Sequence, residues 1–171
     1  MREPVAERLR TCWSRSDEIF DLLEPDALYE QPIALRHPLI FYLGHLPAFA
    51  WNQICRGVLG MPSFRAELDW LFERGIDPVG VDQYETSTEW PKVDEVLEYR
   101  DRVRRHVLHA IGPVADRADD NPLAERGRIF EVAIEHELMH QETLQYILQQ
   151  LPVDHKRRPE PMPPYRFDGA A

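Results

Sequence analysis

Cysteine is scarce in this chain. Cys12 and Cys55 are the only two, and no CxxC or zinc-ribbon spacing joins them. A disulfide scaffold and a cysteine-built zinc site are thereby excluded, and two reduced, packed thiols are expected. Long apolar runs are missing too: no stretch of about 18 apolar residues exists to span a bilayer. The opening segment, MREPVAERLR, lacks the apolar centre of a signal peptide, so the expected location is cytoplasmic. Basic residues are outnumbered, 20 Lys and Arg against 30 Asp and Glu, for a net charge of −10. That balance argues against binding nucleic acid, whose phosphates need a cationic face, and against docking on an anionic membrane. There is no glycine-rich phosphate loop, no internal repeat and no β-alternation of useful length.

What is present suits one globular domain with a real core: 171 residues, of which 43% are hydrophobic. Apolar residues recur at helical spacing in four long segments. The first runs from about Glu3 to Leu23, with Val5, Leu9, Cys12, Phe20 and Leu23 on one face, and ends at Glu24-Pro25-Asp26. The second, from Pro38 to about Leu59, is apolar nearly all round at its start, as a buried helix requires. Pro47 predicts a kink in it, or a break with a new first turn. The third opens at Pro91, runs to about Ile111 and stops at Gly112-Pro113. The fourth runs from Pro122 to about Leu151, with Asn121 as its cap and Pro122 at its first position.

Between the second and third helices, residues 60 to 91 form a long connection rich in aromatics. It reads as a packed excursion with a short helix near Phe64 to Glu73. Five of the last twenty residues are proline, so residues 153–171 read as an extended tail beyond a bundle of residues 1–152. The expected class is all-α: an antiparallel four-helix bundle with a long connection between helices 2 and 3.

Chemistry concentrates in the fourth helix. His136 and His140 are four residues apart, about 40° round the helix, and both fall within its apolar stripe. A neutral imidazole needs a partner for each nitrogen. Two in register on one buried stripe therefore point to a shared metal ion. The segment His136-Glu137-Leu138-Met139-His140 also spells HExxH, the zinc peptidase signature. The residues after it lack the third ligand of that class. Glu142 lies on the opposite face and Glu160 falls in the proline-rich tail, so a peptidase is the lesser reading.

A third ligand must come from His37, His45, His106, His109 or His155. His45 lies in the middle of the most apolar helix, where a bundle can bring it against the middle of the fourth, and is the choice; His109 is the substitute. Three neutral imidazoles leave the ion's charge uncompensated and coordination positions open, which describes a catalytic site. Iron(II), zinc, nickel and cobalt all accept imidazole, so the ligand set alone does not choose. Glu137, at the margin of the site, reads either as a group that orients a ligand or takes a proton, or as a solvated carboxylate. Tyr42, one turn before His45, reads as core packing or as a donor to a bound oxygen species. The Arg100 to Arg105 cluster reads as a solvated helix face.

Arg36-His37-Pro38-Leu39-Ile40-Phe41-Tyr42-Leu43-Gly44-His45 resembles the second-helix segment of the DinB-like domain in the iron-dependent sulfoxide synthases of ergothioneine and ovothiol biosynthesis. Glu135-His136-Glu137-Leu138-Met139-His140-Gln141-Glu142-Thr143 resembles their fourth-helix motif. Phe72 through Asp77 and Trp90-Pro91 through Tyr99-Arg100 are similar to the ovothiol type, 5-histidylcysteine sulfoxide synthase, in particular. The resemblance implies a DinB-like bundle with His45, His136 and His140 as ligands to iron(II). It also implies oxygen-dependent joining of a cysteine-type thiol to a histidine-derived imidazole. Synthases of the family add a formylglycine-generating-enzyme-like domain that contacts substrate and supplies a catalytic tyrosine. These 171 residues hold none of it, so the expectation is a separate domain or subunit as partner. The alternatives are a free-standing DinB-like thiol transferase or isomerase, and a metal-binding domain without its own activity. Met139 stands where ergothioneine-type enzymes carry a polar residue that touches substrate.

Overall fold

The computed structural model describes residues 4–73, 89–119 and 121–157. Among them the helices are α1 (Val5–Phe20), α2 (Leu39–Ala50), α3 (Ala66–Glu73), α4 (Val93–His109), α5 (Ile111–Ala115) and α6 (Arg128–Gln149). The only β-type pairing among the described residues is an isolated bridge between Leu23 and Lys156. The long helices α1, α2, α4 and α6 form the all-α bundle expected of the sequence.

Composition decides which helix is central. Eleven of the twelve residues of α2 are buried, so it has no solvent face to spare. It packs against α4 on one side and α6 on another, while α3 lies across it and α1 packs on α6. Leu39, Ile40, Phe41 and Tyr42 are fully enclosed, each contributing roughly 1.5–3 kcal/mol of burial. The outer helices bury only a stripe, such as Val96, Tyr99, Val103 and Val107 on α4. None of the described helices is long and apolar enough to cross a membrane.

Two boundaries differ from the reading of the sequence, and at Pro47 one of its two alternatives holds. The last helix starts at Arg128, six residues after Pro122. Asn121 does cap, but it caps a single turn: its side-chain oxygen accepts from the Leu123 amide at 2.9 Å and its carbonyl from the Ala124 amide at 2.9 Å. Arg126 (φ 53°) and Gly127 (φ 69°) then enter the left-handed region and redirect the chain, a conformation Gly127 adopts without steric penalty. Gly112-Pro113 does not end the helical path. After Ala110 the chain forms α5 through it, because a proline in a first turn needs no amide partner. The second helix runs through Pro47 with no new first turn, and from Trp51 to Val58 it widens into a π-helix. The Leu59 amide accordingly donates to the Ile54 carbonyl, five residues back, at 3.2 Å.

Several groups tie the bundle together. The Arg104 guanidinium grips Asp17 of α1 through two bonds of 2.7 and 2.9 Å, and Arg100 reaches the same carboxylate at 3.1 Å. Arg102 lies over the Phe64 ring, 4.3 Å from its centroid. The arginine face of α4 is thus in part a fastener, where the sequence suggested simple solvation. The short helix in the long connection is α3. The rest of that connection, residues 74–88, lies outside the described residues. Of the proline-rich tail, residues 153–157 are held to the segment just after α1: the Arg157 amide donates to the Leu22 carbonyl at 2.7 Å and the Glu24 amide donates to the His155 carbonyl at 3.0 Å. The remaining tail residues lie outside the described ones. Cys12 and Cys55 are both buried and free.

Candidate metal centre

His45 is the seventh of the twelve residues of the buried helix α2, and His136 and His140 sit on successive turns of α6, which packs against it. The bundle brings the three rings together: one nitrogen of each lies within 4.8 Å of the others. The ring centroids of His45 stand 5.0 Å from those of both His136 and His140. The two Nε2 atoms of His136 and His140 are 3.2 Å apart. Two nitrogens each about 2.0–2.1 Å from one ion would be separated by roughly 3.0–3.4 Å, so the spacing suits a shared first-row metal.

The hydrogen bonds say which nitrogens are available. Nδ1 of His45 lies 2.7 Å from the Phe72 carbonyl oxygen. A carbonyl only accepts, so Nδ1 carries the proton and Nε2 keeps its lone pair, the arrangement outer partners impose on metal-binding histidines. His136 and His140 can share one proton between their facing Nε2 atoms, and Nδ1 of His140 is buried with no partner among the described residues. Three neutral imidazoles keep one lone pair each, and three converging lone pairs fit a cation.

Burial keeps these rings neutral. It lowers His136 to about 2, with the His140 and His45 rings adding to the effect. It lowers His140 to about 4, helped by His45 and by the Arg36 guanidinium. Burial also lowers His45, while its bond to Phe72 works the other way. Neutral imidazole is the form that ligates metal.

The other histidines stay out of the group. His109 is exposed on α4, His106 sits against Trp51 and Phe64, and His37 lies tilted against Phe41. Tyr42 lies beside the site, its ring centroid 5.8 Å from that of His140. Its hydroxyl is buried without a partner among the described residues, and burial raises it to about 12, so it keeps its proton. Glu137 is elsewhere. It is buried between α1 and α6, where Ser16 donates to it at 2.6 Å, and is neither solvated nor part of the histidine group. Gln141 completes that polar contact, donating to Ser16 Oγ and to the Cys12 carbonyl at 2.9 Å each.

Two contacts were not foreseen from the sequence. Phe49 stacks flat on His136, and the Phe72 carbonyl holds His45. Phe49 stands one turn after His45, a spacing that could have flagged it. A backbone carbonyl leaves no side-chain signal. Gly44 is a fitted position. A Cβ there would meet the Phe72 ring at 2.4 Å, so only glycine admits that ring against the helix.

Comparison with known proteins agrees with this architecture. The chain is 38% identical over 157 residues to Ergothioneine biosynthesis protein 1 of Neurospora crassa, covering 86% of this chain and 17% of that protein. It is 33% identical over 134 residues to the protein of the same name from Schizosaccharomyces pombe, covering 74% of this chain and again 17% of the relative. The chain therefore spans about a sixth of the length of these curated relatives. The model of the DinB superfamily matches residues 8–144, through both histidine-bearing helices, and the chain belongs to that superfamily.

Proposed function

We propose that this chain is the metal-holding domain of an oxygen-dependent sulfoxide synthase, with iron(II) bound by His45, His136 and His140. The substrates would be a small thiol, cysteine or γ-glutamylcysteine, and a histidine-derived imidazole. The observation that carries the reading is the convergence of three neutral imidazoles from α2 and α6. Two relatives named for ergothioneine biosynthesis support the substrate class. The net chemistry balances. Joining sulfur to the ring carbon removes the thiol and ring hydrogens, a two-electron oxidation, and oxidation at sulfur takes two more. One dioxygen accepts all four, leaving one oxygen atom on sulfur and the other in water. Iron(II) would supply adjacent positions for thiolate, imidazole and oxygen.

The chain's own residues hold and shield this site. The Phe72 carbonyl keeps the lone pair of His45 directed away from Nδ1, and Phe49 keeps His136 in its plane. Tyr42 retains the proton on its hydroxyl and can donate a hydrogen bond to an acceptor entering beside His140. Glu137 takes no part in binding the ion. Its bond to Ser16 also weakens the zinc peptidase reading, in which the glutamate must face the metal. Because the chain spans about a sixth of its relatives, the reading includes a further domain or subunit, of the formylglycine-generating-enzyme-like kind, to complete the substrate pocket in the cytoplasm. A metal-binding domain inactive by itself is the second reading, favoured by that same short span.

Metal analysis of protein prepared without chelator should find about one first-row ion per chain. His136→Ala and His140→Ala should lose it, along with the rise in Tm that added metal gives the parent, about 2.7 kcal/mol at a hundredfold excess over Kd. Oxygen uptake with cysteine and histidine, with and without the remaining domain, separates the two readings. A chain that stays metal-free in the presence of iron(II) and zinc overturns both.

A further inference from the structure

We propose that Asp69 is a positioning residue for the histidine site, acting through α3 and the Phe72 carbonyl on His45. Its affinity readout rests on the metal reading above; its second readout does not.

The helix α3 has eight residues, about two turns, too short to persist in water by itself. Where it lies depends on what fastens it. Asp69 is its polar fastening, beside the buried side chains of Leu68 and Phe72. The carboxylate is 1% exposed and takes hydrogen bonds from three directions: Trp51 Nε1 at 2.9 Å from the π-helical end of the second helix, Tyr99 Oη at 2.7 Å from α4, and Ser63 Oγ from the approach to α3. A buried carboxylate is costly unless so satisfied, and removing its partners is costlier than never having had them.

One turn after Asp69 comes Phe72, in the last turn of α3. The final four carbonyls of a helix have no partner within it. The one at Phe72 is taken by His45 Nδ1 at 2.7 Å. The histidine thus caps α3, and α3 in return sets which nitrogen of the histidine carries the proton. The Phe72 ring, fully buried, lies on the bare backbone at Gly44, one residue before His45. Two contacts from α3, the ring on Gly44 and the carbonyl on His45, therefore share a single anchor three residues upstream. A shift of α3 by about half an ångström would stretch this 2.7 Å bond to the outer limit of good geometry.

The test uses the 171-residue chain labelled with 15N and stripped of metal by chelator. Long-range 1H–15N spectra read the tautomer of His45. The parent should show the Nδ1–H form. Asp69→Asn keeps the volume but turns an acceptor into a donor facing other donors. It should bring in the Nε2–H form and raise the zinc Kd about tenfold or more, the range seen when outer partners of metal ligands are lost. Tyr99→Phe, which removes a single bond to Asp69, should do the same to a smaller degree and decides the matter if Asp69→Asn does not fold. Gly44→Ala enters the same pathway from the other side and should shift the tautomer with Asp69 intact. Circular dichroism checks that helix content is kept. A parent His45 in the Nε2–H form overturns the proposal, as does an unchanged tautomer with zinc affinity within twofold in folded variants. A tautomer shift in a chain that binds no zinc upholds the proposal and refutes the metal reading instead.

Discussion

The imidazole of His136 lies flat on the ring of Phe49, with centroids 3.6 Å apart and planes 5° from parallel. His136 is the one member of the histidine group that is only half-buried, so this stack is what confines its ring. Phe49→Ala should free His136 to swing. Zinc or iron(II) affinity should fall severalfold, and stability should fall by less than the roughly 3–5 kcal/mol of a fully buried Phe→Ala change. Chelator competition and urea unfolding measure the two. Unaltered affinity would show that His136 needs no such support.

Metal-free protein should lose stability as it is acidified. His136 and His140 stay neutral in the fold down to about 2 and about 4, whereas in the unfolded chain each takes up a proton near the usual 6.5. The unfolded state binds more protons in that interval, so stability rises with pH across it and is lost as pH falls. Each ring contributes roughly 1.4 kcal/mol per pH unit, or about 2 kcal/mol between pH 6.5 and 5. Glu137 acts in the opposite sense, because burial raises its carboxyl and the fold then holds the extra proton. Comparing His140→Gln with the parent isolates the histidine part. The variant's pH curve should be flatter by that amount, and parallel curves would contradict the assignment.

Glu137→Gln should leave metal affinity within about twofold of the parent. Ser16 can donate to the amide oxygen as it does to the carboxylate, and a neutral group suits a site where burial already raises the carboxyl. Stability above pH 7 should hold or improve. Glu137→Ala should cost about 1–3 kcal/mol by leaving the buried hydroxyl of Ser16 short of an acceptor. A large loss of metal binding in Glu137→Gln would restore the glutamate to the site.

Arg104→Ala should loosen α1 from α4 and spare the histidines. Its paired bonds to Asp17 are charge-assisted but partly wetted, with side-chain exposures of 17% and 34%, so the expected loss is about 1–2 kcal/mol. The melting temperature should fall by several degrees with metal affinity unchanged. Equal loss of affinity would mean that the α1–α4 contact reaches the site.

Helical periodicity was enough to read the bundle, the central α2 and the short α3 from the chain alone, because burying an apolar stripe is a local demand repeated every turn. It was also enough to set His136 and His140 on one stripe and His45 in the most apolar helix. Boundaries were legible only in part. Nothing local distinguishes Asn121 capping one turn from Asn121 capping a long helix; the left-handed backbone at Arg126 and Gly127 follows from where α6 must pack. The role of Glu137 was undecided for a similar reason. Its place in the sequence fits either side of α6, and only the position of Ser16 on α1 draws it from the histidines. Tertiary structure alone decided the Phe72 carbonyl, the Asp69 anchor and the ring seated on Gly44. These join residues through the packing of separate helices, and a spacing rule reports only on the helix that carries it.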